Sequence, residues 1–327
     1  MNEPELLYLS RSDVERAGVT MAEIVRAVED MFREKGEGRT QMPPKTAVYP
    51  GKPGSGAFIN AMPAYIPKIG AAGIKWVGMI PDNFKRNLPS ISALLILNDA
   101  ETALPVGVMD ATWITAKRTA AASVAAAKCL ARPDTQTLGI IGCGVQGFGH
   151  LEALREYFPI RRVAVFDIRP EAAVEFARRA RESFGLDVEI AASAGAAARD
   201  RDLVVTAGTI YKDPRPFLGE KEFARGAFVS AVDYDSAWTA EALRAADIFV
   251  MDDLGQMKSF RDQGYFRALP DRIGEMSDLV AGRIPGRANP EQRTMAMNMG
   301  IALDDVAVAP LVFEKARAAG LGVRLPL

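Results

Sequence analysis

The order of apolar and polar positions divides the chain into two regimes. Up to about residue 108 the apolar runs are short and punctuated by Pro and Gly; from 137 onward, short apolar runs alternate with helical spacing. ELLYL at 5–9 reads as a strand. Ser12 or Thr20 then caps a helix with Met21, Ile24, Val25, Val28 and Met31 on one face, ended by Gly36 and Gly38. Runs near 45–49, 56–61, 70–79 and 91–98 predict a mostly antiparallel sheet, and Asn98-Asp99 with Thr102 predicts a hairpin into 103–109. Residues 110–131 (DATWITAKRTAAASVAAAKCLA) read as one helix, stopped by Arg132-Pro133-Asp134. Beyond it, strands are predicted near 137–142, 162–167, 187–191, 203–208, 227–232 and 248–251. Helices are predicted near 147–157, 170–184, 194–199 and 239–245, with 256–266 and 270–281 at the far edge. This alternation predicts a parallel, doubly wound sheet. The last helix, about 300–319, is too apolar to stand alone and is expected to pack back on the first domain.

The most informative stretch is TLGIIGCGVQGFGHLEALREYFPIRRVAVFDIR, residues 137–169. It reads as strand, glycine turn, helix, and a second strand ending in Asp167, 25 residues after Gly142. Such a unit holds a dinucleotide. Gly142 allows the tight turn, Gly144 lets the pyrophosphate approach the backbone, and Gly147 lets the helix pack close. The helix start at Val145 and Gln146 points N–H groups and a positive dipole end at phosphate. Asp167 suits ribose hydroxyls and repels a 2′-phosphate, so NAD(H) is preferred; Arg169 is placed to reach a phosphate, so NADP(H) stays possible. Thr206 and Val232 stand at other strand ends facing the same crevice. The fold class is therefore α/β: a doubly wound parallel Rossmann domain over 126–303, plus a smaller discontinuous α+β domain over 1–125, completed by 304–327.

Composition narrows the partners. Forty basic residues against 41 acidic ones leave a net charge of −1, which offers no electrostatic reason for nucleic acid or an anionic membrane. No run is long and apolar enough for a membrane span, and the N-terminus lacks a secretory pattern, so a cytoplasmic location is expected. Two cysteines, Cys129 and Cys143, form no framework and read as buried fillers. The single histidine, His150, is expected at the surface or near the phosphates. One histidine without a cysteine cluster argues against a metal site and against a serine–histidine–acid hydrolase.

Three places carry candidate chemistry. Lys75, in the apolar strand AAGIKW, either snorkels to the surface or faces a polar pocket. Arg118 lies on the alanine-rich helix, as a solvated charge or as a fork for a carboxylate. Asp233 and Asp235 follow a strand end, where they serve proton transfer, hold an ammonium group, or cap the next helix together with Ser236. Met79, Met297, Met299 and Tyr234 suggest an adaptable, partly apolar pocket.

Read together, AAGIKWVGMIPDNFKRNLPSISALLILNDAETALPVGVMD, ITAKRTAAASVAAA, LGIIGCGVQG and MNMGIALDD resemble the ornithine cyclodeaminase/μ-crystallin family, over nearly the whole chain. The resemblance implies NAD(P)-dependent formation or reduction of imines. It implies that Lys75 and Arg118 grip the substrate carboxylate, that Lys75 also acts catalytically by helping to activate the imine or its water, that Lys45 joins them in the place of an arginine, and that Ser90 lies beside the pocket and Thr119 on the cofactor. The family pattern GxDxPGKxEL stands here as DYDSAWTAEAL, which puts the catalytic acid at Asp235 and replaces small residues by Asp233 and Tyr234. In FINAMP, Asn60 stands where cyclodeaminases carry an acid suited to a distal amine. The leading expectation is an NAD(P)H-dependent imine or ketimine reductase, or the reverse amino-acid dehydrogenase, acting on a small α-imino or α-amino acid by hydride transfer at Cα. The alternatives are an ornithine- or lysine-type cyclodeaminase, and a non-catalytic μ-crystallin-like binding protein. The resemblance further implies that the smaller domain is the substrate and dimerisation domain, with a homodimer formed through the sheet of residues 40–108.

Overall fold

A computed structural model describes residues 4–52 and 55–327. The chain opens with β1 (Glu5–Leu9), α1 (Arg11–Arg16) and α2 (Met21–Gly36). Then come β2 (Thr46–Val48), β3 (Phe58–Ile66), β4 (Ala71–Met79), β5 (Ile91–Asp99), β6 (Pro105–Asp110) and α3 (Thr112–Leu130). The next stretch holds β7 (Thr137–Ile141), α4 (Val145–Leu154), β8 (Arg162–Phe166), α5 (Pro170–Phe184), β9 (Val188–Ile190), α6 (Ala194–Ala198) and β10 (Leu203–Thr206). It continues through β11 (Phe228–Ala231), α7 (Ala240–Arg244), β12 (Ile248–Met251), α8 (Leu254–Asp262), β13 (Gly274–Glu275), α9 (Met276–Val280) and β14 (Thr294–Met297). α10 (Ala302–Ala318) and β15 (Val323–Pro326) close the chain. Two compact units result: residues 1–118 with 301–327, and residues 119–300. The crossings fall at 118/119 and 300/301, where the sequence reading has 125/126 and 303/304. The first lies inside α3, an alanine-rich helix whose composition does not change at the crossing.

In the first unit, the described strands form a mixed sheet in the order β15-β1-β6-β5-β4-β3-β2. The hairpins β3/β4, β4/β5 and β5/β6 are antiparallel, whereas β1 runs parallel to β6. Asp99 builds the predicted turn by accepting the Thr102 N–H (2.8 Å) and hydroxyl (2.7 Å). α10 packs on this sheet against β3, β4 and β5, and α2 packs against α10. Leu9, Ile24, Phe32, Leu95, Val306 and Val312 are fully buried there. Thr20 rather than Ser12 caps α2, through a capping box with Glu23; Ser12 lies inside α1, a helix absent from the sequence pattern and capped by Ser10. β15 was also missed, being four exposed residues paired to β1.

In the second unit, the described strands form a wholly parallel sheet in the order β13-β12-β14-β11-β10-β7-β8-β9. After β9 the chain crosses β7 to place β10 on its other side. The carboxyl ends of β7 and β10 thus flank the topological switch point, where such sheets bind ligands. β14 sits between β11 and β12, buried at all four positions. The sequence reading omitted it because TMAM lacks alternation and β-branched runs. The helix expected over 270–281 shrinks to Met276–Val280 beside the two-residue β13.

Candidate functional site

The second unit carries the dinucleotide turn. α4 starts at Val145, directly on Gly144 as N-cap, and no side chain satisfies its first N–H groups. Gly142 has φ +100°, and a Cβ on it would fall 2.5 Å from the Ala207 carbonyl oxygen. A Cβ on Gly147 would fall 2.1 Å from the Gly142 carbonyl oxygen, whereas one on Gly144 would meet nothing within 4 Å. Two glycines are thus demanded by close backbone approach, and the third fronts open space. That combination fits a pyrophosphate. Asp167, at the tip of β8, accepts the Cys143 N–H (2.8 Å) and the Arg169 N–H (2.9 Å). The Arg169 side chain is exposed, its Nε 3.8 Å from Asp167 Oδ1. Burial and the Asp167 charge push the Cys143 thiol up to about 12, so it stays protonated and unreactive.

Other expected cofactor residues line the neighbouring strand ends. Val232 donates its N–H to the Thr206 carbonyl (2.9 Å), and the Thr206 hydroxyl donates to Asp233 Oδ1 (2.6 Å). Asp233 Oδ2 also accepts the Gly208 N–H (3.1 Å), and burial pushes its carboxyl up to about 6. Asp235 is buried as well, and burial raises its pKa; the Arg267 N–H and charge work against that rise. Its Oδ1 has no hydrogen-bond partner among the described residues. The capping role weighed for Asp235 and Ser236 is overturned. Thr239 caps α7, and Ser236 Oγ instead accepts the Tyr211 N–H (3.1 Å). Between the acids, Tyr234 donates its hydroxyl to the Met299 carbonyl (3.3 Å), so Met299 meets this loop through its backbone.

His150 requires a correction: it is completely buried, not at the surface. α4 is apolar nearly all round, so its periodicity could not reveal which side the histidine takes. His150 Nδ1 lies 2.7 Å from the Gln146 carbonyl, which only accepts, so Nδ1 carries the proton. Nε2 then accepts from Ser123 Oγ (2.8 Å), which in turn receives Ser230 Oγ (2.8 Å). Burial lowers the His150 pKa to about 4, so this chain holds a neutral imidazole. Through it, α3, α4 and β11 are tied together beneath the glycine turn. Thr119, the other residue expected on the cofactor, is buried one turn before Ser123.

The first unit carries the cationic cluster. Lys75, on β4, is 1% exposed, and Arg118, on α3, is 5% exposed. The snorkelling and solvated-charge readings are therefore both excluded. Lys75 Nζ pairs with Asp305 Oδ2 (2.6 Å) and donates to Thr115 Oγ1 (3.2 Å). Arg118 Nε donates to Asp305 Oδ1 (3.0 Å) and Nη1 to Asp304 Oδ2 (3.1 Å). Burial, then the Arg118 charge, bring the Lys75 ammonium down to about 7; Asp305 acts in the opposite direction. Lys45 is close enough for its charge to lower Lys75 further. Asn60 shares the Lys75 face of the sheet: on β3, Met62 pairs with Lys75 and Asn60 with Val77. Ser90 donates its hydroxyl to the Pro81 carbonyl (3.3 Å), closing the loop before β5.

The model of the ornithine cyclodeaminase/mu-crystallin family matches residues 5–320. The chain belongs to this family. It is 34% identical to the nodulation efficiency protein NfeD of Rhizobium meliloti, over 96% of this chain and 97% of that one. Among solved structures, a Thermococcus litoralis Δ1-pyrroline-2-carboxylate reductase with NADH and L-proline superposes with a TM-score of 0.87 at 32% identity, covering 97% of this chain and 99% of that one. An archaeal alanine dehydrogenase dimer with bound NAD gives 0.86 at 34%, covering 98% and 99%.

Within this family chain, the sequence reading named the cations but not their partners. Asp304 and Asp305 lie in the quoted segment MNMGIALDD, so the signal was present without a role attached. Both stand in the first turn of α10, where acids favour the helix dipole, and Asp304 accepts the Ile301 N–H (3.3 Å). Asp252 and Gln256 were missed altogether. Asp252 accepts the Gly300 N–H (2.7 Å), and Gln256 Nε2 donates to the Gly300 carbonyl (3.3 Å), which holds the loop after β14.

Proposed function

We propose that the protein is an NAD(H)-dependent imine reductase, or the amino-acid dehydrogenase of the reverse direction, acting at Cα of a small α-imino or α-amino acid. The observation that carries this reading is the pair of buried cations, Lys75 and Arg118, in a chain that also bears the dinucleotide turn. Asp304 and Asp305 hold the two cations in place, and charged donors bind a carboxylate more strongly than neutral ones. Lys75 and Arg118 take the substrate carboxylate, with Lys45 as a nearby point charge. Gly142, Gly144, Val145 and Gln146 take the pyrophosphate, Asp167 the adenosine ribose, and Thr119, Thr206 and Val232 the remaining cofactor contacts. Bound NADH supplies the hydride. Asp235 manages the proton: its buried carboxyl gives it to the imine nitrogen, and the resulting carboxylate faces the iminium as counter-ion. After hydride arrival at Cα the amine leaves, and Asp235 is reprotonated from water. Asn60 presents an amide rather than an acid on the Lys75 face, which weighs against a substrate with a distal ammonium. Ser90 and Met299 are proposed at the margin of the substrate. We further infer a cytoplasmic homodimer that uses the outer face of the first unit's sheet.

The test is oxidation of NADH and NADPH, followed by absorbance, against a panel of imines. The panel holds pyruvate, glyoxylate and oxaloacetate with ammonia or methylamine, plus the cyclic imines pyrroline- and piperideine-2-carboxylate. Turnover with NADH is expected on at least one member. Asp235→Asn is expected to bind NADH normally and to lose roughly 100-fold or more in kcat. Silence across the panel with NADH bound sinks the reductase reading; native turnover in Asp235→Asn removes that residue from the mechanism.

A further inference from the structure

Asp233 and Asp235 lie two residues apart beyond the end of β11, yet different loops hold them. The Asp233 carboxyl takes the Thr206 hydroxyl on one oxygen (2.6 Å) and the Gly208 N–H on the other (3.1 Å). Both donors flank Ala207, at the exit of β10. Ala207 donates its own N–H to the Ile141 carbonyl (2.8 Å), and its carbonyl sits so close to Gly142 that no Cβ fits there. Asp233 is thus one short loop away from the dinucleotide turn. Asp235 makes neither of these contacts; the backbone and charge of Arg267, in the loop after α8, favour its carboxylate instead.

Tyr234 enforces the divergence. Its φ is 61°, in the left-handed region that residues with side chains seldom adopt. Its ring is locked by Phe266 (centroids 5.1 Å), Phe260 (5.9 Å) and Tyr265 (6.2 Å), and its hydroxyl by the Met299 carbonyl. A backbone held in this conformation turns successive side chains away from one another. Burying a carboxyl here works against stability, as the upward pull of burial on Asp233 shows. A group kept against such a cost is a candidate for function.

We propose that Asp233 is a positioning residue for the dinucleotide: its carboxyl fixes residues 206–208, and through Ala207 the turn at Gly142, while proton handling belongs to Asp235. The division of labour rests on the reductase reading above; the positioning role does not, because it is measured without an imine.

The experiment compares Asp233→Ala, Asp233→Asn, Thr206→Val and Asp235→Asn in full-length protein by NADH fluorescence titration, with amide exchange over residues 205–209 of the cofactor-free protein. Asp233→Ala is expected to weaken NADH about tenfold and to speed exchange in that segment, since two donors lose a charged acceptor. Asparagine keeps both contacts, accepting from Gly208 and donating to the Thr206 oxygen. Asp233→Asn should therefore restore NADH affinity to within about threefold of native. Thr206→Val removes half the clamp and should cost about threefold in NADH affinity; because Thr206 is itself a proposed cofactor contact, faster exchange at residues 205–209 of the cofactor-free variant decides the matter if the alanine variant fails to fold. Asp235→Asn should leave NADH affinity and exchange at native values. Native affinity and exchange in both Asp233→Ala and Thr206→Val overturn the proposal. So does an Asp233→Asn variant that binds NADH as poorly as the alanine one, or that binds it well but loses turnover as fully as Asp235→Asn.

Discussion

At the residue scale, the decisive group is Lys75. An ammonium in an apolar strand interior is brought down to about 7, chiefly by burial and then by Arg118, while Asp305 holds it up. In the proposed role the charged form attracts the substrate carboxylate, so capture is expected to be strongest below the free-protein pKa and to fade as pH rises through about 7. In kcat/KM for a carboxylate-bearing imine, a falling limb near that pH is expected. A bound carboxylate favours the ammonium, so the same limb in kcat lies at higher pH. Asp305→Asn removes the group that supports the charge and should move the limb to lower pH. Lys75→Met should remove the Lys75 limb, leaving any fall that comes from ionisation of Asp235, and raise KM roughly 10- to 100-fold. A flat profile across this range, together with a native KM in Lys75→Met, would exclude Lys75 from carboxylate binding.

At the element scale, the turn between β7 and α4 separates two kinds of glycine. Gly147 is packed against backbone, so Gly147→Ala forces α4 away from the turn. It should lower the melting temperature and weaken NADH roughly tenfold or more. Gly144 fronts open space, so Gly144→Ala should leave the melting temperature near native while the added methyl occupies the room meant for phosphate. NADH affinity should still fall. Calorimetry and fluorescence titration on the two variants check this split; equal NADH affinity in Gly144→Ala and native protein would place the phosphates elsewhere.

At the scale of the whole molecule, the first unit's sheet carries helices on one face and apolar side chains on the other. Trp76 on β4 is 51% exposed and directly opposite Leu94 on β5, 45% exposed; Ile74 and Ile96 form the next pair. A contiguous apolar face of this kind supports the proposed homodimer. Introducing two like charges, Trp76→Glu with Leu94→Glu, should convert a dimer to a monomer by light scattering while the melting transition stays cooperative. A native protein that is already monomeric at micromolar concentration would refute the dimer.

The sequence by itself determined what depends on near neighbours: the strand–glycine–helix unit from 137 to 167, the antiparallel hairpins of 58–110, and the cations Lys75 and Arg118 as candidates. Period, turn chemistry and motif spacing are local, so they are legible without coordinates. Tertiary structure decided what depends on distant partners. β14 is a strand only because β11 and β12 receive it on either side. His150 is buried only because Ser123 and the Gln146 carbonyl satisfy both ring nitrogens. Lys75 and Arg118 became one cluster when α10 returned Asp304 and Asp305 from 186 to 230 positions further along the chain. Asp233 and Asp235, two residues apart and chemically alike, were separated only by the loops that hold them. Burial and pairing are properties of the folded chain, and they set the charge state of every one of these groups.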